Sequence, residues 1–157
     1  EAGIRDSVAS RGRGDVYKRQ ERIMRHPFTM TGSDGRLTEP GSGHPHPRWY
    51  GAFPRVLWHY VREKKVMKLE EAVRKMTGLS AKTFGIADRG GIEAGSFADL
   101  VVFDQSQIAD SATFEQPTRV AAGIDCVIVN GTIAWRNGVG TGSRTGRVLR
   151  NPGTPGS

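Results

Sequence analysis

Apolar residues at helical spacing predict three helices in the middle of the chain. In the first, Phe53–Glu63, five apolar side chains share one face: Phe53, Val56, Leu57, Tyr60 and Val61. Such a stripe is typical of an amphipathic helix. A second helix is predicted over Lys68–Thr77, with its inward face formed by Leu69, Ala72, Val73 and Met76. Ser80 is a suitable N-cap for a third helix, Ala81–Ile86.

A short apolar run before these helices predicts a buried strand, Phe28–Ser33, after a helix end at Glu21–Arg25. Pro27 restricts the residue before it to extended geometry. Gly35 permits a tight exit that would hold Asp34 at the carboxyl end of the strand. Ligands of parallel α/β folds bind at that end, so Asp34 is a candidate functional residue. Ser-Asp-Gly is also an ordinary turn composition.

The remaining pattern consists of one long loop and a β-rich half. Residues 36–52 are polar and rich in glycine and proline, and loops of this length usually bind something. A strand is predicted over Ala98–Asp104 and a hairpin over Cys126–Trp135, in which Asn130-Gly131 supplies the two positive-φ residues of a type I′ turn. The glycine-rich segment Asn137–Ser157 is expected to wrap the surface and then fray.

Composition places the chain among soluble proteins with one ordinary core. Its 157 residues suffice for such a core, and no apolar run approaches the roughly 20 residues that a membrane-spanning helix needs. The single cysteine, Cys126, excludes an internal disulfide and is interpreted as a small core side chain. We therefore expect a reducing compartment, the cytoplasm.

The net charge of +7 does not predict a polyanion partner, because the charge is not patterned. Residues 1–25 carry seven basic and four acidic side chains, which leaves 16 basic and 12 acidic ones in 26–157. A solvated surface is the simpler interpretation, with no nucleic-acid and no membrane partner.

Residues 1–20 show neither helical nor alternating periodicity and are expected to be disordered. Arg5–Gly12 and Asp15–Gln20 resemble the translation of sequencing-adapter read-through. The segment is therefore interpreted as a non-native assembly artefact. The alternative is a basic nucleic-acid-binding arm, although no aromatic stacking platform accompanies its arginines.

Two sets of motifs carry a resemblance to a known family. Gly85–Asp104 and Val127–Gly131 resemble the closing β-domain of the metal-dependent amidohydrolase superfamily. A sharper resemblance, over roughly residues 22–150, is to the N-acyl-D-amino-acid deacylases, or D-aminoacylases. Its motifs are Thr31–Gly35, His46–Arg48, Tyr50–Gly51, Phe53–Leu57, Ala112–Glu115, Thr141–Gly142 and Gly146–Arg150.

This resemblance implies an α/β fold, the C-terminal part of a (β/α)8 TIM barrel followed by part of a small β-sandwich built from both chain ends. Phe28–Ser33 would be the eighth barrel strand, and Phe53–Met76 the helical layer after it. The expected division is an end of the barrel over 21–87, a composite β-domain over 88–150 and a disordered tail over 151–157.

The same resemblance implies a zinc-dependent hydrolase acting on carbon-nitrogen bonds other than peptide bonds. Asp34 matches the acid that touches the metal-bound water and carries its proton to the departing amine, so Asp34 is the candidate catalytic and metal-site residue. A carboxylate suits this role because zinc lowers the pKa of its water toward about 7. His46 and Arg48 are candidate substrate-binding residues, with loop anchoring as the alternative.

The chain departs from the family in its metal ligands. The superfamily's early His-x-His, bridging residue and further histidines do not precede Asp34, and His44-Pro45-His46 follows the eighth strand, so it is interpreted as a decoy. His26 and His59 are interpreted as a strand-edge and a helix-surface residue. We therefore expect a C-terminal piece that needs the N-terminal half of the same enzyme, binds zinc weakly alone and lacks deacylase activity alone.

Two alternatives remain open. The chain could belong to another amidohydrolase that acts on cyclic amides, such as a dihydroorotase-like or hydantoinase-like enzyme. It could instead be a non-catalytic basic binding module, whose binding to a phosphate-bearing partner would weaken steeply with salt.

Overall fold

The computed structural model describes residues 16–36 and 43–149. Its first part is helical: α1 occupies 16–25, and the later helices are α2 (Arg48–Arg55), a π-helical continuation of α2 (Val56–Glu63), α3 (Leu69–Met76) and α4 (Gly78–Phe84). Residues 16–20, predicted to be disordered, are therefore helical, and the rest of that predicted segment lies outside the described residues. No helix among the described ranges combines the length and apolar character needed to cross a membrane.

The predicted helix Phe53–Glu63 exists, but its second half is wider than an α-helix. Backbone amides there reach five residues back, as from Lys64 N to His59 O at 2.8 Å, which is the π-helical pattern. Val56, Leu57 and Val61 of the predicted face are buried, whereas Phe53, in the α-helical part, is exposed.

Helix α3 confirms the predicted inward face, with Ala72 fully buried and Leu69, Val73 and Met76 packed against the core. The predicted start of α4 at Ala81 was wrong, because the helix begins at Gly78. Ser80 lies inside that helix, where its hydroxyl donates to Lys75 O at 3.1 Å, and does not cap it. Gly85, at φ +66°, ends α4 in the left-handed conformation that suits glycine.

The predicted strand Phe28–Ser33 was also wrong. These residues form a turn and then an irregular extended segment, and Phe28 is 79% exposed. A strand needs a neighbour for its backbone groups, and none of the described strands lies beside this segment. Local hydrogen bonds replace strand pairing here, since the Thr29 hydroxyl lies 3.0 Å from Ile23 O and 2.9 Å from His26 O.

The second part of the chain forms an antiparallel sheet of four strands in the order β1-β2-β3-β4. The strands are β1 (Leu100–Phe103), β2 (Ile124–Val129), β3 (Thr132–Arg136) and β4 (Val139–Gly140). Asn130 at φ +49° and Gly131 at φ +81° confirm the predicted turn between β2 and β3. Cys126 in β2 is buried, as predicted.

A second hairpin was not predicted. Asn137 at φ +49° and Gly138 at φ +86° join β3 to β4, so the segment after residue 136 begins with a turn and a two-residue strand.

One core joins the helices to the sheet. Its buried members are Val56, Leu57, Val61, Ala72 and Ile108, and Phe103 and Ile124 of the sheet pack against them. Because Ile108 lies in the connection between β1 and β2, this connection is held against the π-helical segment. The β1–β2 connection thereby forms one side of a cleft that also borders α2.

Candidate functional site

Asp34 is held by one arginine. Its backbone adopts φ +49°, an uncommon conformation for a residue with a side chain. Arg48 Nη2 lies 2.7 Å from Asp34 Oδ2, and Arg48 Nε lies 3.4 Å from the Asp34 backbone oxygen. The Asp34 side chain is 88% exposed, so it remains open to a reactant on its other sides. The expected strand before Asp34 is not formed, because residues 29–33 are irregular, and a position in a barrel stays a prediction.

The structure brings His46 next to Arg48 and connects Arg48 to Asp34. Arg48 N donates to His46 Nδ1 at 3.1 Å across the start of α2, and the His46 ring packs edge-on against Phe114 at 5.1 Å between centroids. His44 Nε2 lies 2.8 Å from Phe114 O. The two histidines of the His-x-His sequence thus both contact Phe114, and they anchor the loop to the β1–β2 connection.

A cleft of about 590 Å3 opens beside this group. One wall comes from α1 and the segment after it, the other from α2 and the β1–β2 connection. The lining includes Met24, Met30, Gly32, His46, Arg48, Arg55, Val56, Tyr60, Asp110 and Phe114. An apolar cleft with a few polar groups and two guanidinium groups suits a small organic anion that carries an apolar part.

Asp110 is a carboxylate that lines the cleft, and sequence reasoning missed it. Its side chain is 11% exposed; Oδ2 lies 3.1 Å from Arg55 Nη1, and Oδ1 accepts a hydrogen bond from Trp58 Nε1. Gly51 makes this approach possible, because a Cβ there would lie 3.0 Å from Asp110 Cβ. No periodic pattern marks Asp110, since its partners lie 52 and 55 positions earlier.

His59 is partly enclosed by the rings of Trp58 and Tyr60, at 5.1 and 4.9 Å between centroids. Burial, reinforced by the nearby cations Arg55 and Lys64, lowers the pKa of His59 below its usual 6.5. The lowered pKa favours the neutral imidazole, and His59 is half-buried on the helix rather than fully solvated.

The described residues do not by themselves fit a zinc ion. No group of three His, Cys, Asp or Glu side chains within ranges 16–36 and 43–149 is arranged to hold a metal. A catalytic zinc usually has three protein ligands, whereas Asp34 has an arginine as its partner.

Comparison with known proteins gives the family. The model of the Amidohydrolase family matches residues 2–134. The chain is 54% identical over 129 residues to a D-aminoacylase of Alcaligenes xylosoxydans xylosoxydans and 48% identical over 129 residues to an N-acyl-D-glutamate deacylase of the same organism. Each match covers 82% of this chain and 26% of the relative, so the chain spans about a quarter of these relatives' length.

Solved structures agree with the sequence matches. A crystal structure of D-aminoacylase superposes with a TM-score of 0.76 at 53% identity, covering 82% of this chain and 27% of that one. An N-acyl-D-glutamate deacylase of Bordetella bronchiseptica, complexed with zinc and a phosphonate that mimics the tetrahedral intermediate, gives 0.74 at 47% identity, covering 83% and 27%. A dihydroorotase of Lactobacillus gasseri matches only 34% of this chain.

The chain belongs to the amidohydrolase family. The predicted resemblance to D-aminoacylases is confirmed, since the matches to two N-acyl-D-amino-acid deacylases extend over most of the chain. The dihydroorotase-like alternative is not favoured.

Proposed function

We propose that this chain is the C-terminal part of a zinc-dependent hydrolase that cleaves the amide bond of N-acyl-D-amino acids. The observation that carries the proposal is the connected group of Asp34, Arg48 and His46 at a cleft. Its support comes from relatives named as D-aminoacylase and N-acyl-D-glutamate deacylase, at 54% and 48% identity.

Arg48 is proposed to bind the carboxylate of the substrate. A guanidinium presents parallel N–H donors that match a carboxylate, and Arg48 already contacts one through Nη2. The Arg48 side chain is 45% exposed, which leaves its other donors accessible to a ligand. His46 is proposed to fix the orientation of Arg48, because its ring accepts the Arg48 backbone N–H and is itself packed on Phe114.

Asp34 is proposed as the proton carrier. A carboxylate can accept a proton from the attacking water at one oxygen and return it to the nitrogen of the departing amine, which turns a poor amide leaving group into a neutral amine. Arg48 holds Asp34 Oδ2, which leaves Oδ1 for this transfer. Zinc, when bound, supplies a water of lowered pKa. Its ligands must come largely from outside the described residues.

A chimera tests this proposal. The 129-residue matched segment of the Alcaligenes xylosoxydans xylosoxydans D-aminoacylase is replaced by the corresponding residues of this chain. We expect zinc-dependent release of free amino acid from N-acetyl-D-methionine and not from its L-enantiomer. A folded, zinc-loaded chimera that releases no D-amino acid would refute the proposal.

The isolated chain provides a second test. We expect no release of D-amino acid with added zinc, and no stoichiometric zinc retained after dialysis. Measurable zinc-dependent deacylation by the purified 157-residue chain would contradict the claim that further ligands are needed.

A further inference from the structure

Helix α3 carries a lysine on the face that it turns toward the core. Lys75 is 2% exposed and lies three residues after the fully buried Ala72. Burial lowers the pKa of the Lys75 ammonium, with the Glu71 carboxylate, 3.9 Å away, acting in the opposite direction. A buried ammonium is costly unless its donors are satisfied, so its contacts identify what it does.

The three donors of Lys75 meet three oxygen atoms of one segment. Nζ lies 2.5 Å from Met24 O, 2.5 Å from His26 O and 3.1 Å from Thr29 Oγ1. Met24 lies in the last turn of α1 and His26 just beyond its end, where carbonyl groups have no partner within the helix. The neighbouring Arg74 adds a bond from Nη2 to Pro27 O at 2.8 Å.

The segment that Lys75 holds is a wall of the candidate site. Met24, Met30, Thr31 and Gly32 line the cleft, and Asp34 follows Thr29 by five residues. Among the described residues, the hydrogen bonds that reach residues 24–33 from residues 43–149 all come from Arg74 and Lys75. No described strand supports this segment, which is held by the packing of Met24 against the core and by the hydrogen bonds from α3.

We propose that Lys75 is a positioning residue of the site: its buried ammonium fixes residues 24–29, and thereby sets where Asp34 meets Arg48. The proposal rests on the proposed function only for the chemical role of Asp34. The geometric part concerns this chain alone and can be measured without any enzymatic activity.

A space-filling role makes a different prediction. If Lys75 only filled the core, Lys75→Met would keep most of the volume, remove the cost of a buried charge and leave the cleft wall unchanged. If Lys75 fixes the segment, the same change frees residues 24–34 while the sheet stays intact. The two roles therefore differ in whether residues 24–34 change when Lys75 is replaced.

The test uses NMR of the 157-residue chain and its variants. In the unaltered chain we expect one lysine ammonium whose protons exchange slowly with water and show a nuclear Overhauser effect to Thr29. In Lys75→Met we expect amide exchange at His26 and Thr29 to accelerate at least about tenfold, because hydrogen bonds from a charged donor are lost. We also expect the Arg48 Nε–H signal to shift, although Arg48 does not contact Lys75.

Two further variants keep the test decisive. Thr29→Val removes one of the three acceptors and should shift the Arg48 signal in the same direction by a smaller amount. Lys68→Met, at the exposed start of α3, should change neither signal. If Lys75→Met does not fold, Thr29→Val and the slow ammonium of the unaltered chain decide the question.

Either of two results would overturn the proposal: no slowly exchanging ammonium in the unaltered chain, or an Arg48 signal and amide exchange unchanged in a folded Lys75→Met. Neither depends on deacylation, so an inactive chimera would count against the proposed function and leave this inference standing.

Discussion

Removing the Asp110 carboxylate should destabilise the protein in two separable steps. Asp110 pairs with Arg55 at 3.1 Å and accepts from Trp58 Nε1, and both contacts join α2 and its π-helical continuation to the β1–β2 connection. Asp110→Asn keeps an oxygen for Trp58 but removes the charge. Asp110→Ala removes both contacts.

The magnitudes follow from the surroundings of each contact. The Arg55 side chain is about half exposed, so solvent screens the ion pair and Asp110→Asn should lower the free energy of unfolding by about 0.5–1 kcal/mol. Asp110→Ala also leaves the half-buried Trp58 N–H without its partner, which adds about 1–2 kcal/mol. The expected total for Asp110→Ala is therefore about 1.5–3 kcal/mol.

The assay is urea unfolding followed by circular dichroism, with Glu63→Gln as the matched control. Glu63 pairs with Arg62 on the exposed side of the same helix, so its loss should cost less than about 0.5 kcal/mol. Raising the salt concentration should shrink the effect of Asp110→Asn and not the further step to Ala. Equal losses for Asp110→Asn and Asp110→Ala would refute the part assigned to Trp58.

Three further predictions concern single residues. Gly123→Ala should lower the free energy of unfolding in urea by about 2–4 kcal/mol, because φ is +73° and a Cβ would lie 2.5 Å from Ile108 N. The control Gly138→Ala, at φ +86° with open space around it, should lower it by about 1 kcal/mol. Equal losses in the two variants would contradict the clash at Gly123. Because burial lowers the pKa of His59, the unfolded chain binds more protons than the folded one between that lowered value and 6.5. The free energy of unfolding should therefore rise with pH across this window, and His59→Gln should flatten the rise. An unchanged pH profile in His59→Gln would contradict the lowered pKa. In the chimera, Arg48→Met should raise KM for N-acetyl-D-methionine at least about tenfold; an unchanged KM would exclude Arg48 as the carboxylate receptor.

Sequence patterns predicted those elements whose stabilising contacts are local or periodic. The inward face of α3 follows from the spacing of Leu69, Ala72, Val73 and Met76, and the first hairpin from Asn130-Gly131. Asn137-Gly138 carries the same signal and forms the second hairpin, which was not predicted. The helix over 16–25 was predicted only from residue 21, because its exposed first half carries no apolar stripe.

The errors come from contacts that join distant parts of the chain. An apolar run at Phe28–Ser33 is compatible with a strand, but only a neighbouring strand would make it one. Lys75 reaches acceptors 46 to 51 positions earlier, and nothing in the helical pattern of α3 distinguishes it from a surface lysine. Asp34 and Arg48 were both predicted as site residues, whereas their direct contact was not.

The most direct test of the central claim is the turnover of the Asp34→Asn chimera. Asparagine keeps the size and the acceptor for Arg48 but cannot carry the proton, so we expect kcat for N-acetyl-D-methionine to fall about 100-fold or more, with KM changed less than about threefold. Zinc content and circular dichroism should match those of the unaltered chimera. An Asp34→Asn chimera that turns over as fast as its parent would contradict the assignment of Asp34 as the proton carrier.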